Sequence, residues 1–354
     1  MKHRKILCLF LLLFLFNFCT TETKTNSSSN YYPPKNNSEW DTNSLESLGW
    51  SQANLPDLLD YLDSKNTKGF IILVDGKIIV EEYFNNHSAS SKWYWASAGK
   101  TLTSLMTGIG VEEGIIDLDE KVSEKLGIGW TSLPLGKENM ITNRHLLTMT
   151  SGIDDGLFGD CVDPECLTYK ADAGTRWAYH NVYVKLQDVI SAGSNQSFEN
   201  YFGEKLRDKI GMDGEWFTLD NNRIYRSSTR SMARFGLLIL NNGKWENETI
   251  VTSEFIKDAT TTSQNINQSY GYLWWINGQN SYHLPQTQFE FQGSIIPSGP
   301  SDMFMALGKN DQKIYVIPSK KMVVIRMGNA ADEVNAALSD FDEILWKKIN
   351  AVIN

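Results

Sequence analysis

Met303-Phe-Met-Ala-Leu-Gly-Lys-Asn-Asp-Gln-Lys-Ile-Tyr-Val-Ile-Pro-Ser-Lys-Lys-Met-Val-Val-Ile-Arg-Met327 reads as three short β-rich runs. They cover Met303 to Leu307, Lys313 to Ile317 and Met322 to Met327, with polar turns between them. Far upstream, Phe70 to Val74 and Lys77 to Phe84 form another pair of such runs, joined by Asp75-Gly76. Asp-Gly accepts positive φ, so this junction predicts a tight hairpin. Between the two β regions the pattern is helical. Leu102, Leu105, Met106 and Ile109 recur at helical spacing, predicting a helix from Ser97 to Glu113 that stops at Gly114. Leu55 to Leu62, Asn181 to Ala192 and Ser231 to Leu240 are further helices, and the middle of the chain to about residue 260 reads as mostly helix and loop. Asp332 to Ile349 closes the chain as an amphipathic helix, with Val334, Leu338, Phe341, Leu345 and Ile349 apolar. Strands at both ends with helices between them predict an α+β fold. One antiparallel sheet, discontinuous in sequence, is flanked by helices and carries an inserted, mainly helical lobe, with a cleft between lobes as the place for a site. The sequence shows no internal repeat.

The 354 residues are 41% hydrophobic and 21% charged, with a formal charge of −9. A chain of this length buries a large core without needing disulfides. The N-terminus is a separate segment. Met1-Lys2-His3-Arg4-Lys5 is basic, Ile6 to Phe18 is almost wholly apolar, and Cys19 follows. This describes a secretory signal over residues 1–19, too short for a comfortable membrane span. Cys19 before polar Thr20 to Asn30 is similar to a bacterial lipoprotein signal, although Phe18 departs from the small residue expected before a lipidated cysteine. The expectation is an exported protein, periplasmic or anchored to the membrane through lipid on Cys19. Removing three basic residues takes the mature chain from −9 to about −12, which argues against nucleic acid as a partner. Residues 20–45, rich in Asn, Ser, Thr and Lys with Pro33-Pro34, read as a flexible tether, and residues 46–354 as the folded domain. Cys8 belongs to the signal. Cys161 and Cys166 form the only pair in the body, and in an oxidising compartment they read as a disulfide rather than as a zinc site with His145 or His180. No metal or cofactor is expected.

Ser97-Ala98-Gly99-Lys100 is the only Ser-x-x-Lys in the chain. A serine hydroxyl becomes a nucleophile when a base takes its proton, and residues three apart on a helix share a face. Lys100 could serve as that base if burial or neighbouring positive charge keeps it neutral. Tyr179-His180-Asn181 offers a phenol to relay protons and an amide to hold the lysine or the substrate. Gly308-Lys309-Asn310-Asp311-Gln312 places a lysine before the second of the late strands, where it could orient an anionic group. Tyr83-Phe84-Asn85 repeats the Tyr-x-Asn spacing on the early hairpin and is read as structural.

The order and spacing of these three elements resemble the superfamily of class C beta-lactamases, DD-peptidases and 6-aminohexanoate-dimer hydrolases, in which Ser-x-x-Lys, Tyr-x-Asn and a late Lys/His-x-Gly strand recur. His145-Leu-Leu-Thr-Met-Thr-Ser-Gly152, Ala173-Gly-Thr-Arg-Trp-Ala-Tyr179, Tyr270-Gly-Tyr-Leu-Trp-Trp275, Ile314-Tyr-Val-Ile-Pro318 and Val323-Val-Ile-Arg326 extend the likeness over roughly residues 55–350. The resemblance implies a beta-lactamase/transpeptidase-like fold and a serine hydrolase. Ser97 would form the acyl-enzyme, Lys100 and Tyr179 would share acid–base work, and Asn181 and Lys309 would bind substrate. The backbone N–H groups of Ser97 and Gln312 would form the oxyanion hole. Asp311 departs from the usual Gly. On an extended strand it would share a face with Lys309 and repel an incoming carboxylate, so small uncharged esters or amides are the expected substrates. A true beta-lactamase or D-Ala-D-Ala carboxypeptidase is the alternative. Trp93, Trp95, Trp130, Trp177, Trp274 and Trp275 lie near the motifs and read mainly as core, and His145 and His180 as structural.

Two rivals remain at this level. Trp95-Ala-Ser97-Ala-Gly99 carries half of a Gly-x-Ser-x-Gly elbow, with His283 as the late histidine, but the chain lacks alternating βαβ units. A non-catalytic binding protein on the same fold is the second rival, and Asp311 is the feature that favours it.

Overall fold

The early hairpin forms as expected. Strands Thr67–Val74 and Lys77–Tyr83 pair antiparallel. Asp75 and Gly76 both take positive φ, 50° and 82°, the geometry that matches the twist of the flanking strands. The structure, a computed structural model, describes residues 30–36, 38–156, 161–219, 222–332 and 339–354. The expected signal with Cys8 and Cys19 lies outside the described residues. Among the described residues no helix is long and apolar enough to cross a membrane.

The three late runs become strands Phe304–Gly308, Gln312–Ile317 and Met322–Gly328. With the hairpin and the short strand Trp275–Ile276 they make one six-stranded antiparallel sheet. Its order is 77–83, 67–74, 322–328, 312–317, 304–308, 275–276. The first and last thirds of the chain meet where Ile71 faces Ile325 and Ile72 faces Val324. Both faces are covered, so these strands are nearly continuous apolar runs. Phe70 to Leu73 and Met322 to Ile325 are fully buried. Alternation divides the faces. Ile314 and Val323 pack on Gly236 of helix Thr229–Leu240, where a Cβ would lie 2.5 Å from Val323 Cγ1. Tyr315 turns the other way, onto Trp346 of helix Asp340–Ile353, with ring centroids 5.5 Å apart. That last helix is described from Asp340, with a capping box at Ser339, and Val334 and Leu338 of the expected helix lie outside the described residues.

The helical lobe carries Lys185–Ser194 and several shorter helices, and helix Lys100–Glu112 lies at the boundary. Residues 100–110 of that helix are all buried, which explains why its polar positions point inward: Gln187 Nε2 donates to Thr103 Oγ1 at 2.9 Å.

Two expectations are corrected. Residues 31–45 are not a tether. Trp40 and Leu45 are buried, the Tyr32 ring packs 5.2 Å from that of Trp245, and Arg234 donates to the carbonyls of Pro33 and Pro34. Polar composition concealed a strap held by two aromatics and by backbone carbonyls that an arginine can reach. The middle is also not only helix and loop. Glu215–Leu219, Asn222–Ser228 and Lys92–Tyr94 form a second, three-stranded sheet.

Candidate active site

The second sheet positions Ser97. Trp95 N donates to Tyr225 O at 2.8 Å, and the buried Trp95 indole donates to Ser227 Oγ at 2.8 Å. The chain then turns through Ala96 at φ 47°, a left-handed conformation that costs an alanine about 1–2 kcal/mol. A 3-10 turn, Ala96–Gly99, leads into helix Lys100–Glu112. Strain of this kind survives only when the surroundings hold it, and here it sets Ser97 at the edge of a cavity of 280 Å³.

Lys100, 3% exposed, points its Nζ 3.0 Å from Ser97 Oγ and 3.0 Å from Asn181 Oδ1. The same ammonium lies 4.9 Å and 4.5 Å from the ring centres of Tyr179 and Tyr183. Tyr179 and Ser97 line the same cavity. Its ring packs against Trp275, Tyr270 and Trp177, with the Trp275 centroid 5.8 Å away. Burial pushes the Tyr179 phenol well above the ordinary tyrosine range, so it carries its proton at neutral pH. The structure therefore joins four sequence-selected residues, Ser97, Lys100, Tyr179 and Asn181. The hydroxyl has an amine and a neutral phenol as neighbours, which is the equipment for moving one proton off it and another onto a leaving group.

Lys309 also lines the cavity, and among the described residues it has no ion pair. It stands at the end of strand Phe304–Gly308, which is pressed against the Ser97 turn. A Cβ at Gly308 would lie 2.5 Å from Trp95 O and 2.9 Å from Ala98 N, so only glycine permits this approach.

The rest of the third motif is placed differently from the expectation. Asn310 and Asp311 take φ of 60° and 58°, so the segment is a left-handed turn and not extended strand. The turn swings Asp311 out of the cavity. Asp311 is fully buried, lies 3.2 Å from Lys313 Nζ, and accepts hydrogen bonds from Ala331 N and Ser339 Oγ. It cannot repel a substrate bound at Ser97. Gln312 is also outside the cavity and fully buried. Its side-chain amide donates to the carbonyls of Lys309, Asn310 and Gly328 and accepts from Gly328 N. Its side chain holds the turn; the oxyanion-hole expectation concerned its backbone N–H.

Sequence reading passed over Asn222 and Arg223, and named Gly308 only as the start of the third motif. Asn222 and Arg223 line the cavity from the second sheet. Asn222 Oδ1 accepts from Asn181 Nδ2 at 2.8 Å, and Arg223 Nη1 lies 3.0 Å from Asp188 Oδ1. Nothing in their local pattern marks them. Asp155 reaches the cavity wall already paired with Arg176 at 2.7 Å.

His180 and His145, expected to be structural, both cap local turns, and His180 also lines the cavity. His180 Nδ1 accepts from Val182 N and caps a 3-10 turn, and His145 forms a capping box with Thr142. Burial holds the His145 imidazole below the ordinary histidine range. His283 is buried outside the cavity lining, which leaves the elbow reading without its base. None of the tryptophans singled out from the sequence lines the cavity, although Trp177 and Trp275 support Tyr179. Cys161 and Cys166 are bridged, with Cα atoms 5.9 Å apart.

Comparison with known proteins agrees with this architecture. An uncharacterized protein of Alkalihalophilus pseudofirmus is 25% identical over 311 residues, covering 77% of this chain and 86% of its own. A Bacillus anthracis structure assigned as a 6-aminohexanoate-dimer hydrolase superposes with a TM-score of 0.69 at 20% identity, over 90% of this chain and 89% of that one. EstCE1, a hydrolase with promiscuous acyltransferase activity, superposes with a TM-score of 0.62 at 12% identity, over 86% of this chain and 99% of its own. At these identities the structural matches establish the fold. The beta-lactamase family model matches residues 65–345, which contain the Ser97 turn, Lys100, Tyr179, Asn181 and the late strands, and the chain therefore belongs to the beta-lactamase family.

Proposed function

We propose that the protein is an exported serine hydrolase that cleaves esters or amides through an acyl-enzyme on Ser97. The observation that carries this reading is Lys100 Nζ at 3.0 Å from the Ser97 hydroxyl, with the buried, neutral Tyr179 phenol lining the same cavity. In the first step Ser97 Oγ bonds to the acyl carbon while its proton passes to the Lys100 amine. The carbonyl oxygen becomes an oxyanion, received in part by the Ser97 N–H. As the oxyanion collapses, the bond to the leaving alcohol or amine breaks. The Lys100 proton reaches that group, with Tyr179 as the relay. Water then attacks the acyl carbon, giving its proton to the same pair, and the acid is released with Ser97 restored. Asn181 holds Lys100 throughout. Export, to a periplasm or to a membrane through lipid on Cys19, is supported by the basic and apolar first 19 residues.

The burial of Asp311 removes the basis for preferring uncharged substrates. Among the described residues lining the cavity, Asp155 is paired with Arg176 and Arg223 with Asp188, while Lys309 has no ion pair. A substrate carboxylate would meet the Lys309 ammonium, which favours the second reading: β-lactams or D-amino-acid peptides as substrates alongside simple esters. Treatment of the mature protein with a fluorophosphonate should label one residue, and Ser97→Ala should abolish the label. Full labelling of Ser97→Ala would end the proposal, and absence of label on the native protein would favour a binding protein.

A further inference from the structure

We propose that Asn222 is a positioning residue that fixes the side-chain amide of Asn181, so that Lys100 meets an oxygen and keeps its lone pair for Ser97. The proposal rests on the catalytic reading above, but concerns a residue that no motif includes.

An asparagine amide is nearly symmetric in shape, so sterics alone do not decide which end faces Lys100. Hydrogen bonding does. An ammonium donates only, so Asn181 must present Oδ1 to a charged Lys100, as it does at 3.0 Å. Its Nδ2 then faces away and needs an acceptor, which is Asn222 Oδ1 at 2.8 Å. The chain of contacts Lys100–Asn181–Asn222 is thereby assigned along its whole length.

The importance of Asn222 appears when Lys100 is neutral. A neutral amine has a lone pair, and a free Asn181 could rotate and donate Nδ2–H to it. That lone pair would then be unavailable for the Ser97 proton. With Nδ2 already committed to Asn222, rotation would break one hydrogen bond and set two oxygens against each other. Asn181 therefore keeps its orientation through both protonation states of Lys100, and the lone pair remains directed at Ser97 Oγ, 3.0 Å away. Asn222 is suited to this because it sits on a paired strand, Asn222–Ser228, facing Glu215–Leu219 across the hairpin.

Two variants separate this role from a merely structural one. Asn222→Leu keeps the branched shape and removes the acceptor. For p-nitrophenyl acetate its kcat should fall roughly tenfold or more with KM changed by less than about twofold, since the lost function is orientation and not binding. Asn222→Asp keeps an acceptor and should restore kcat to within about threefold of wild type. Its added negative charge favours the ammonium form of Lys100, so the acid limb of its kcat/KM profile should move to higher pH by about half a unit to one unit. An Asn222→Leu enzyme with native kcat, or an Asn222→Asp profile that does not move, overturns the proposal. A readout independent of turnover is the pH dependence of Lys100 acylation by acetic anhydride, followed by peptide mass spectrometry. The midpoint should rise in Asn222→Asp, and an unchanged midpoint counts against Asn222 whether or not an ester is hydrolysed. Failure of fluorophosphonate labelling in the wild type would instead strike the hydrolase reading.

Discussion

The Ser97 turn and the Lys309 turn abut at the wall of one cavity, and the sequence described them unequally. Ser97 and Lys100 stand three residues apart where the chain enters a helix, and this spacing brings the side chains together, at 3.0 Å. Lys309 and Asp311 stand two residues apart, and the same kind of argument put them on one face of a strand. That argument failed because Asn310 and Asp311 are both left-handed. Spacing predicts geometry only where the backbone repeats. In a turn each φ, ψ pair is decided separately, and here it is decided by what lies behind the turn. Arg326 donates to the carbonyls of Asn310 and Asp311, Gln312 clamps the same turn, and Lys313 receives the Asp311 carboxylate.

The contrast can be broken most severely at Lys100. Lys100→Ala should lower turnover of an activated ester by about 10³-fold or more while the fold persists, because base and nucleophile act as a unit. Near-native turnover in a steady-state assay would remove Ser-x-x-Lys from the chemistry. At the other turn the expected loss is of stability. Asp311→Ala leaves a fully buried cluster short of one carboxylate, at a cost of about 3 kcal/mol by chemical denaturation. Its kcat/KM ratio for nitrocefin over p-nitrophenyl acetate should stay within about twofold of wild type, since Asp311 does not face the cavity. A marked rise in that ratio with little loss of stability would return Asp311 to the site.

Lys309 sharpens the comparison in the other direction. Lys309→Ala removes a cation from the cavity wall without emptying a buried site. It should reduce kcat/KM for the carboxylate-bearing nitrocefin about tenfold relative to the neutral ester. Equal losses for both substrates would mean that Lys309 does not read charge.

The smallest effect belongs to the capping box at Thr142, a local feature like the Ser97 turn. Burial holds His145 below the ordinary histidine range. As pH falls, the unfolded chain therefore binds the proton first. The stability that neutral His145 contributes is complete above about pH 6.5 and is lost as pH falls through the lower folded value. His145→Gln should flatten the decline in stability between about pH 7 and 5 by less than about 1 kcal/mol. A decline as steep as that of wild type, measured by urea titration, would show that His145 is not the group responsible.

Much of the fold was legible because it follows from regular patterns. The runs at 70–84 and 303–327 alternate or stay apolar as strands do, Asp75-Gly76 marks its own turn, and the heptad-like spacing from Leu102 to Ile109 marks the nucleophile helix. The strap at residues 31–45 was not legible, since its order comes from Trp40, Tyr32 and carbonyls bound by distant Arg234. The second sheet was missed for a related reason. Trp216 to Tyr225 includes a polar run, and its strand pairing is supplied in part by Lys92–Tyr94, far away in sequence.

By itself the sequence determined the strand and helix periodicities, the Ser97–Lys100 pairing and the order of the three motifs, because each is a local property of repeating backbone or of residue identity. Only the tertiary structure decided that Asp311 is buried, that Gly308 lies against the Ser97 turn and that Asn222 completes the chain from Lys100. Those facts depend on which surfaces meet, and contacts between separate elements leave no period in the chain from which they could be read.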